Sequence, residues 1–216
     1  MIQVQSFVFN PFQENTYVLY DDTQEAVVVD PGCYEVDEKS ELAGFITENH
    51  LTVKMLLNTH CHIDHVLGNY FVKEKFQTKL YIHQTEEFVL NAQKIIAPHY
   101  GIHLYEESAP DFFLTEGDTV KFGHQEFSVL FVPGHSPGHI AFYNRQEKIL
   151  IAGDVLFQGS IGRTDLPGGN FDTLINSIHQ KLFTLPDDVD VYPGHGGITR
   201  IGIERRTNPF CAVIKS

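Results

Sequence analysis

An unbroken apolar run long enough to span a bilayer is missing from this 216-residue sequence, so no membrane-crossing helix and no membrane partner are expected. No secretory leader is expected either. The amino terminus, MIQVQSFVFNPFQENTYVLY, alternates and breaks too early for one, which makes the cytoplasm the expected compartment. Cysteine is sparse: Cys33, Cys61 and Cys211 are widely spaced, form no CxxC pair and make a poor disulfide framework, so reduced thiols are expected. Basic residues are few, with 15 Lys and Arg against 28 Asp and Glu, a formal charge of −13 and no basic cluster. Such a surface repels polyanions, and no nucleic-acid partner is expected. Repeats, low-complexity tracts and Pro/Ser-rich linkers are also missing.

What remains is 42% hydrophobic and 20% charged, the balance of a globular protein. Its length fits one domain over residues 1–216 better than two small ones. Short runs rich in Val, Ile, Phe and Tyr predict strands at Ile2–Val8, Thr16–Tyr20, Ala26–Asp30, Lys54–Asn58 and Lys79–Ile82. The same signal returns at Thr119–Phe122, Glu126–Val132, Ile140–Tyr143, Lys148–Ala152 and Val189–Tyr192. Helical spacing predicts helices over Asp37–Asn49, Val66–Phe76, Glu86–Ile96 and Phe171–Leu185, and Pro98–Leu114 is the least regular stretch. Two mostly β batches, each followed by helices, predict two sheets with helices on their outer faces, an αβ/βα sandwich of the mixed α/β class.

Twelve histidines are many for this length. His50, His83, His99, His103, His124 and His179 stand alone and read as solvated or hydrogen-bonded side chains. The rest are different. Asn58-Thr59-His60-Cys61-His62-Ile63-Asp64-His65 follows an apolar strand and opens a helical pattern, placing four potential ligands within six residues. In an extended loop His60 and His62 project to one side and can meet one ion, whereas Asp64 and His65 come where the chain turns, which permits a second ion nearby. Three further candidates follow strands beside glycines: His135 in Pro133-Gly134-His135, Asp154 in Gly153-Asp154, and His195 in Pro193-Gly194-His195-Gly196. Cys61 should point away from its neighbours as a packed thiol. His139 reads as a structural hydrogen-bonding residue, while Arg163 and Asp165 fit an ion pair and a substrate contact equally well.

These residues resemble the metallo-β-lactamase superfamily and, within it, the glyoxalase II group and its single-domain relatives. The match runs through Asp30-Pro31-Gly32, the motif from His60 to His65, His135, Asp154 and His195, in order and across nearly the whole chain. The resemblance implies a four-layer αβ/βα sandwich and two divalent metal ions, zinc first, with iron or manganese equally tolerated by such donors. It implies that His60, His62 and His135 bind one metal, that Asp64, His65 and His195 bind the other, that Asp154 bridges them, and that Asp30 steadies the metal loop. Two cations sharing a water bring its pKa from about 15.7 toward about 7, so no serine or cysteine nucleophile is needed. Asp64 and Asp154 are placed to orient that water.

The expected reaction is hydrolysis of a small-molecule thioester such as S-lactoylglutathione. The family's glutathione-specific members carry a helical carboxy-terminal domain, and this chain ends about twenty residues after His195, which implies a smaller, more open site. The rival is an iron-dependent persulfide dioxygenase, which the chain resembles in His60-Cys61-His62 and in Gly162-Arg163-Thr164-Asp165; His60, His135 and Asp154 would then hold one iron. In Pro193-Gly194-His195-Gly196 the glycines depart from that group, which tends to have alanine before the histidine and an acidic residue after it. β-Lactam hydrolysis is disfavoured by the missing leader, and a metal-free scaffold would make all seven ligand-type residues incidental. The sequence sets neither the oligomeric state nor the metal's identity.

Overall fold

A computed structural model describes residues 1–213. The chain divides into two compact units, one of Met1–Leu114 with Lys121–Glu126, the other of Thr115–Val120 with Phe127 onward.

In the first unit, β1 (Gln3–Phe9), β2 (Glu14–Tyr20), β3 (Glu25–Val29), β4 (Thr52–Leu57), β5 (Leu80–Ile82) and β6 (Phe112–Phe113) form a six-stranded sheet in sequence order. The first three strands are joined by short turns and run antiparallel; β3, β4 and β5 run parallel because helices carry the chain back between them. Helix α1 (Val36–Glu48) starts where Glu38 reaches back to accept from the Tyr34 and Glu35 backbone N–H groups at 2.7 and 3.0 Å. It buries Leu42 and Ile46, one turn apart, against a core that includes Phe7, Phe9, Val28, Leu56 and Leu80. The helix expected over Val66–Phe76 is broken into α2 (Ile63–Val66) and α3 (Asn69–Phe76). The break has a local cause. The Gly68 N–H donates to the Pro31 carbonyl at 2.7 Å, and a Cβ there would lie 2.5 Å from Cys33 Sγ, so the chain bends to let two backbones meet. Helix α4 (Glu87–Ile96) follows as expected, and the stretch after it is irregular apart from one tight turn and β6.

The second sheet has the order β14, β13, β10, β9, β8, β7, with β7 (Thr119–Phe122), β8 (Gln125–Phe131), β9 (Ile140–Asn144), β10 (Ile149–Gly153), β13 (Asp190–Pro193) and β14 (Thr199–Arg200). A small hairpin, β11 (Leu156–Phe157) with β12 (Ser160–Ile161), and α6 (Ile201–Thr207) carry no clear sequence periodicity because they are short. Helix α5 (Phe171–Ser177) is capped by Asn170 and ends in a wider turn at Ile178–Leu182, where Phe183 N–H reaches back to Ile178 at 2.8 Å, so the expected helix to Leu185 stops early. Its Leu174, Ile178 and Leu182 pack on Val132, Leu150, Val189 and Val191 of a second core. Among the described residues no helix is long and apolar enough to cross a membrane.

The turn at Lys121–Glu126 belongs with the first unit because Asp21 grips it. Buried Asp21 accepts from Thr23 N–H and Oγ1 at 3.0 and 2.6 Å, and from His124 N–H and Gln125 Nε2 at 2.7 and 3.0 Å. Burial alone would raise its pKa, yet the hydrogen bonds from Thr23, Gln125 and His124 outweigh it and hold the carboxyl well below the usual carboxylate range. A depressed folded-state pKa stabilises the protein above the unfolded value of about 3.9 and loses that contribution as pH falls below it. Urea unfolding of Asp21→Asn should therefore show lower stability than wild type at pH 7 and a shallower decline below about pH 4. An unchanged acid limb would remove Asp21 as its source.

Candidate metal centre

Strand direction decides where the polar residues gather. Strands β3 and β4 are parallel, so Asp30 and the Asn58–His65 segment leave the first sheet at the same end. Strand β8 is antiparallel to β9, which is antiparallel to β10, and β10 is parallel to β13. Hence β8, β10 and β13 point one way, and the loops bearing His135, Asp154 and His195 emerge together. Carboxyl ends of such strands are where α/β proteins collect ligands.

In the first unit His60 and His65 are fully buried with ring centroids 4.1 Å apart, and the His60 and His62 rings are 4.8 Å apart at 88°. His65 Nε2 lies 3.6 Å from Asp64 Oδ2. Four of the seven expected ligands are thus close neighbours. Asp30, His60 and His65 also present atoms within 4.8 Å of one another, which raises the question of whether Asp30 is itself a ligand. Its hydrogen bonds answer it: Oδ1 accepts from Thr59 N–H at 2.7 Å, and Oδ2 accepts from Thr59 Oγ1 at 2.6 Å and faces His65 Nδ1 at 3.2 Å. Asp30 holds the loop and the proton on His65 Nδ1, which leaves Nε2 with its lone pair.

Behind this shell lie residues that sequence patterning missed. Glu14 is fully buried with Oε1 3.9 Å from His65 Nδ1, and burial raises its pKa well above the ordinary carboxylate value. Asn58 Nδ2 donates to the His65 carbonyl at 3.0 Å and pairs with Asn69. Glu86 accepts from Cys61 N–H, and Gln93 donates to the Cys61 carbonyl, both at 2.8 Å. Glu14 faces Phe9 across the β1–β2 pair on a strand whose every inner position is buried, which is the one available signal; patterning otherwise gives no way to separate a buried polar residue from an exposed one. Cys61 is a packed thiol as expected, its pKa pushed well up by burial and then by the nearby Glu86 charge.

In the second unit one carboxylate meets two imidazoles: Asp154 Oδ2 lies 3.5 Å from His135 Nε2 and 3.5 Å from His195 Nε2. Two donors bound at about 2.1 Å to a tetrahedral ion lie roughly 3.4 Å apart, so this spacing fits metal ligation. His135 Nδ1–H donates to the Arg163 carbonyl at 2.7 Å, leaving Nε2 to coordinate. His139, fully buried, accepts the Asp154 backbone N–H on Nε2 at 3.0 Å and so holds that residue's main chain. Arg163 and Asp165 make a two-pronged ion pair at 2.7 and 2.8 Å on the exposed surface, which also depresses the Asp165 pKa to about 2. Solitary histidines behave as expected: His83 caps Thr85 N–H, His99 Nδ1 pairs with the Ile95 carbonyl, and His179 Nε2 pairs with the Cys211 carbonyl.

Mixed imidazole and carboxylate donors, with His65 and His135 each fixed by its outer nitrogen, lie at the ends of codirectional strands, a donor set suited to metal ions. The metallo-β-lactamase superfamily model matches residues 9–195, and the chain belongs to that superfamily. It is 40% identical over 201 residues, 92% of this chain and 93% of the relative, to hydroxyacylglutathione hydrolase GloC of Haemophilus influenzae. Among solved structures it is similar to BLEG-1 B3 metallo-β-lactamase, at TM-score 0.88 and 36% identity over 98% of this chain and all of that one. It is likewise similar to TTHA1623 in a di-iron-bound form, at TM-score 0.86 and 36% identity over 96% and 100%. These likenesses bear out the expected family and its fold.

Gly162 shows how tightly the second half of the site is built. A Cβ there would fall 1.9 Å from the Asp154 carbonyl oxygen and 3.0 Å from His135 Nδ1. Gly162→Ala should lower metal content measured by elemental analysis and weaken thermal stability, because backbone and ligand must both shift. Wild-type metal content in that variant would show the packing to be looser than described.

Proposed function

We propose that the two units act as a single catalytic domain that hydrolyses a small thioester such as S-lactoylglutathione. The carrying observation is the Asp154 carboxylate set between the Nε2 atoms of His135 and His195, in a chain 40% identical to a hydroxyacylglutathione hydrolase along nearly its whole length. In this reading His60, His62 and His135 would hold one divalent ion, Asp64, His65 and His195 would hold a second, and Asp154 would serve both, with zinc the first choice. Bound there, the ions supply an acidified water and a Lewis acid for the thioester carbonyl.

The chain's own groups do the rest. Asp30 and the Arg163 carbonyl fix which nitrogen of His65 and of His135 faces inward. With the ions bound, Asp64 and Asp154 would accept hydrogen bonds from the attacking water and orient it. His60, His65 and Asp154 are buried, whereas His195 is partly open to solvent. Supporting this reading over dioxygenase chemistry are the likeness to GloC and the glycines on either side of His195.

Chelation should abolish S-lactoylglutathione hydrolysis, and metal return should restore it; turnover that survives complete metal loss would refute the reading. Asp154→Ala should leave fewer than two ions per chain and cut kcat/KM by at least about 100-fold, on the order seen when a transition-state charge partner is lost. Parallel assays of β-lactam cleavage and of oxygen uptake on glutathione persulfide read the rival chemistries, and a faster rate in either would displace the thioesterase reading.

A further inference from the structure

The segment Ile203-Glu204-Arg205-Arg206-Thr207-Asn208 has no part in the reading above, yet it contains a buried carboxylate. Glu204 is 1% exposed on α6, and its oxygens gather donors from three segments. Thr199 Oγ1 donates to Oε1; Gly159 N–H and Asn208 Nδ2 donate to Oε2 at 2.9 and 2.8 Å. Asn208 Nδ2 also donates to the Ser160 carbonyl at 2.9 Å, and its Oδ1 accepts from Phe210 N–H at 3.0 Å. Gly159 lies in the tip of the β11–β12 hairpin and Ser160 opens β12, whereas Thr199 closes the loop that begins at Gly194 and carries His195. The hairpin in turn covers that loop. The Phe157 ring meets the His195 ring edge-on at 6.2 Å and 89°, and Gln158 Oε1 would lie 3.2 Å from a Cβ on Gly197.

We propose that Glu204 is a positioning residue: with Asn208 it latches the β11–β12 hairpin to the far end of the His195 loop, so that Phe157 holds the His195 imidazole in its ligating orientation. The inference rests on the assignment of His195 as a metal ligand. A partly exposed histidine on a glycine-rich loop, Pro193-Gly194-His195-Gly196-Gly197, has many ring orientations available. Restricting them before the ion arrives lowers the entropy lost on binding. A buried carboxylate suits the task, because it accepts two hydrogen bonds on one oxygen and a third on the other, tying down groups that no apolar residue would hold.

The test compares zinc binding by elemental analysis and by competition with a chromophoric chelator. Glu204→Ala should bind one zinc as tightly as wild type and the other about 10- to 100-fold more weakly, the usual consequence of losing an outer partner of a metal site. Glu204→Gln should bind both nearly as wild type, since its amide can turn to accept from Gly159 and Asn208 while donating to the Thr199 hydroxyl. Thr199→Val removes one latch bond at constant shape and should weaken the same zinc by less, which keeps the test open if Glu204→Ala fails to fold. Leu182→Ala, in the same core but away from the latch, should lower thermal stability and leave both affinities unchanged. His195→Ala separates the two ideas. If it binds zinc as wild type does, the ligand assignment falls and the latch with it; if it loses one zinc while Glu204→Ala and Thr199→Val do not, the latch alone is wrong.

Discussion

A neutral imidazole has one lone pair to give and one proton to place, and the structure follows from where those protons go. His65 directs Nδ1 to Asp30, and His135 directs Nδ1 to the Arg163 carbonyl, so in each the other nitrogen is left for a cation. That requirement fixes more than two rings. Asp30 must sit at the end of β3 and also be anchored, which Thr59 does from β4's exit; Arg163 must bring its carbonyl under His135, which needs the close approach that Gly162 allows. The proton-accepting partners therefore dictate the path of two loops that contribute no ligand of their own.

The polar layer beneath the ligands costs stability that the cores must offset. Glu14, Asp30, Asn58, Glu86 and Gln93 are all nearly or fully buried in the first unit, as is Glu204 in the second. An unsolvated carboxylate is expensive unless hydrogen bonds replace water, and each of these accepts at least one from a neighbour's backbone or hydroxyl. Four of their partners are main-chain groups between Thr59 and His65. The expense is thus placed where it restrains backbone that would otherwise be free, as Glu86 and Gln93 do by holding both polar groups of the Cys61 peptide between His60 and His62.

Much of this was legible before any coordinates. Alternating and continuous apolar runs located the ten principal strands to within a few residues, and the polar residue after a strand at His135, Asp154 and His195 reflects a real rule, that codirectional strand ends of one sheet share a rim. Short elements escaped because a two-residue strand such as Ser160–Ile161 has no period to detect. The helix break at Gly68 escaped because its cause is a tertiary contact with Pro31, far away in the chain. Glu14 and Glu204 escaped for a third reason: an acidic residue reads as solvent-facing, and only the three-dimensional count of its donors reveals otherwise.

Net charge misleads in the same way as composition does. The sequence carries −13, which by itself would repel an anionic thioester such as S-lactoylglutathione. Surface carboxylates more than about 8 Å away are largely screened at physiological ionic strength, whereas charges inside a partly buried site are not. In the proposed assignment two divalent ions would contribute four positive charges against the carboxylates of Asp64 and Asp154 and, behind His65, of Asp30. The ions would thus offset the negative charge that a small anion meets at that site. A strongly acidic protein can in this way admit an anion to its metal centre while turning polyanions away, because a long phosphate chain has to cross the acidic surface and a small thioester does not.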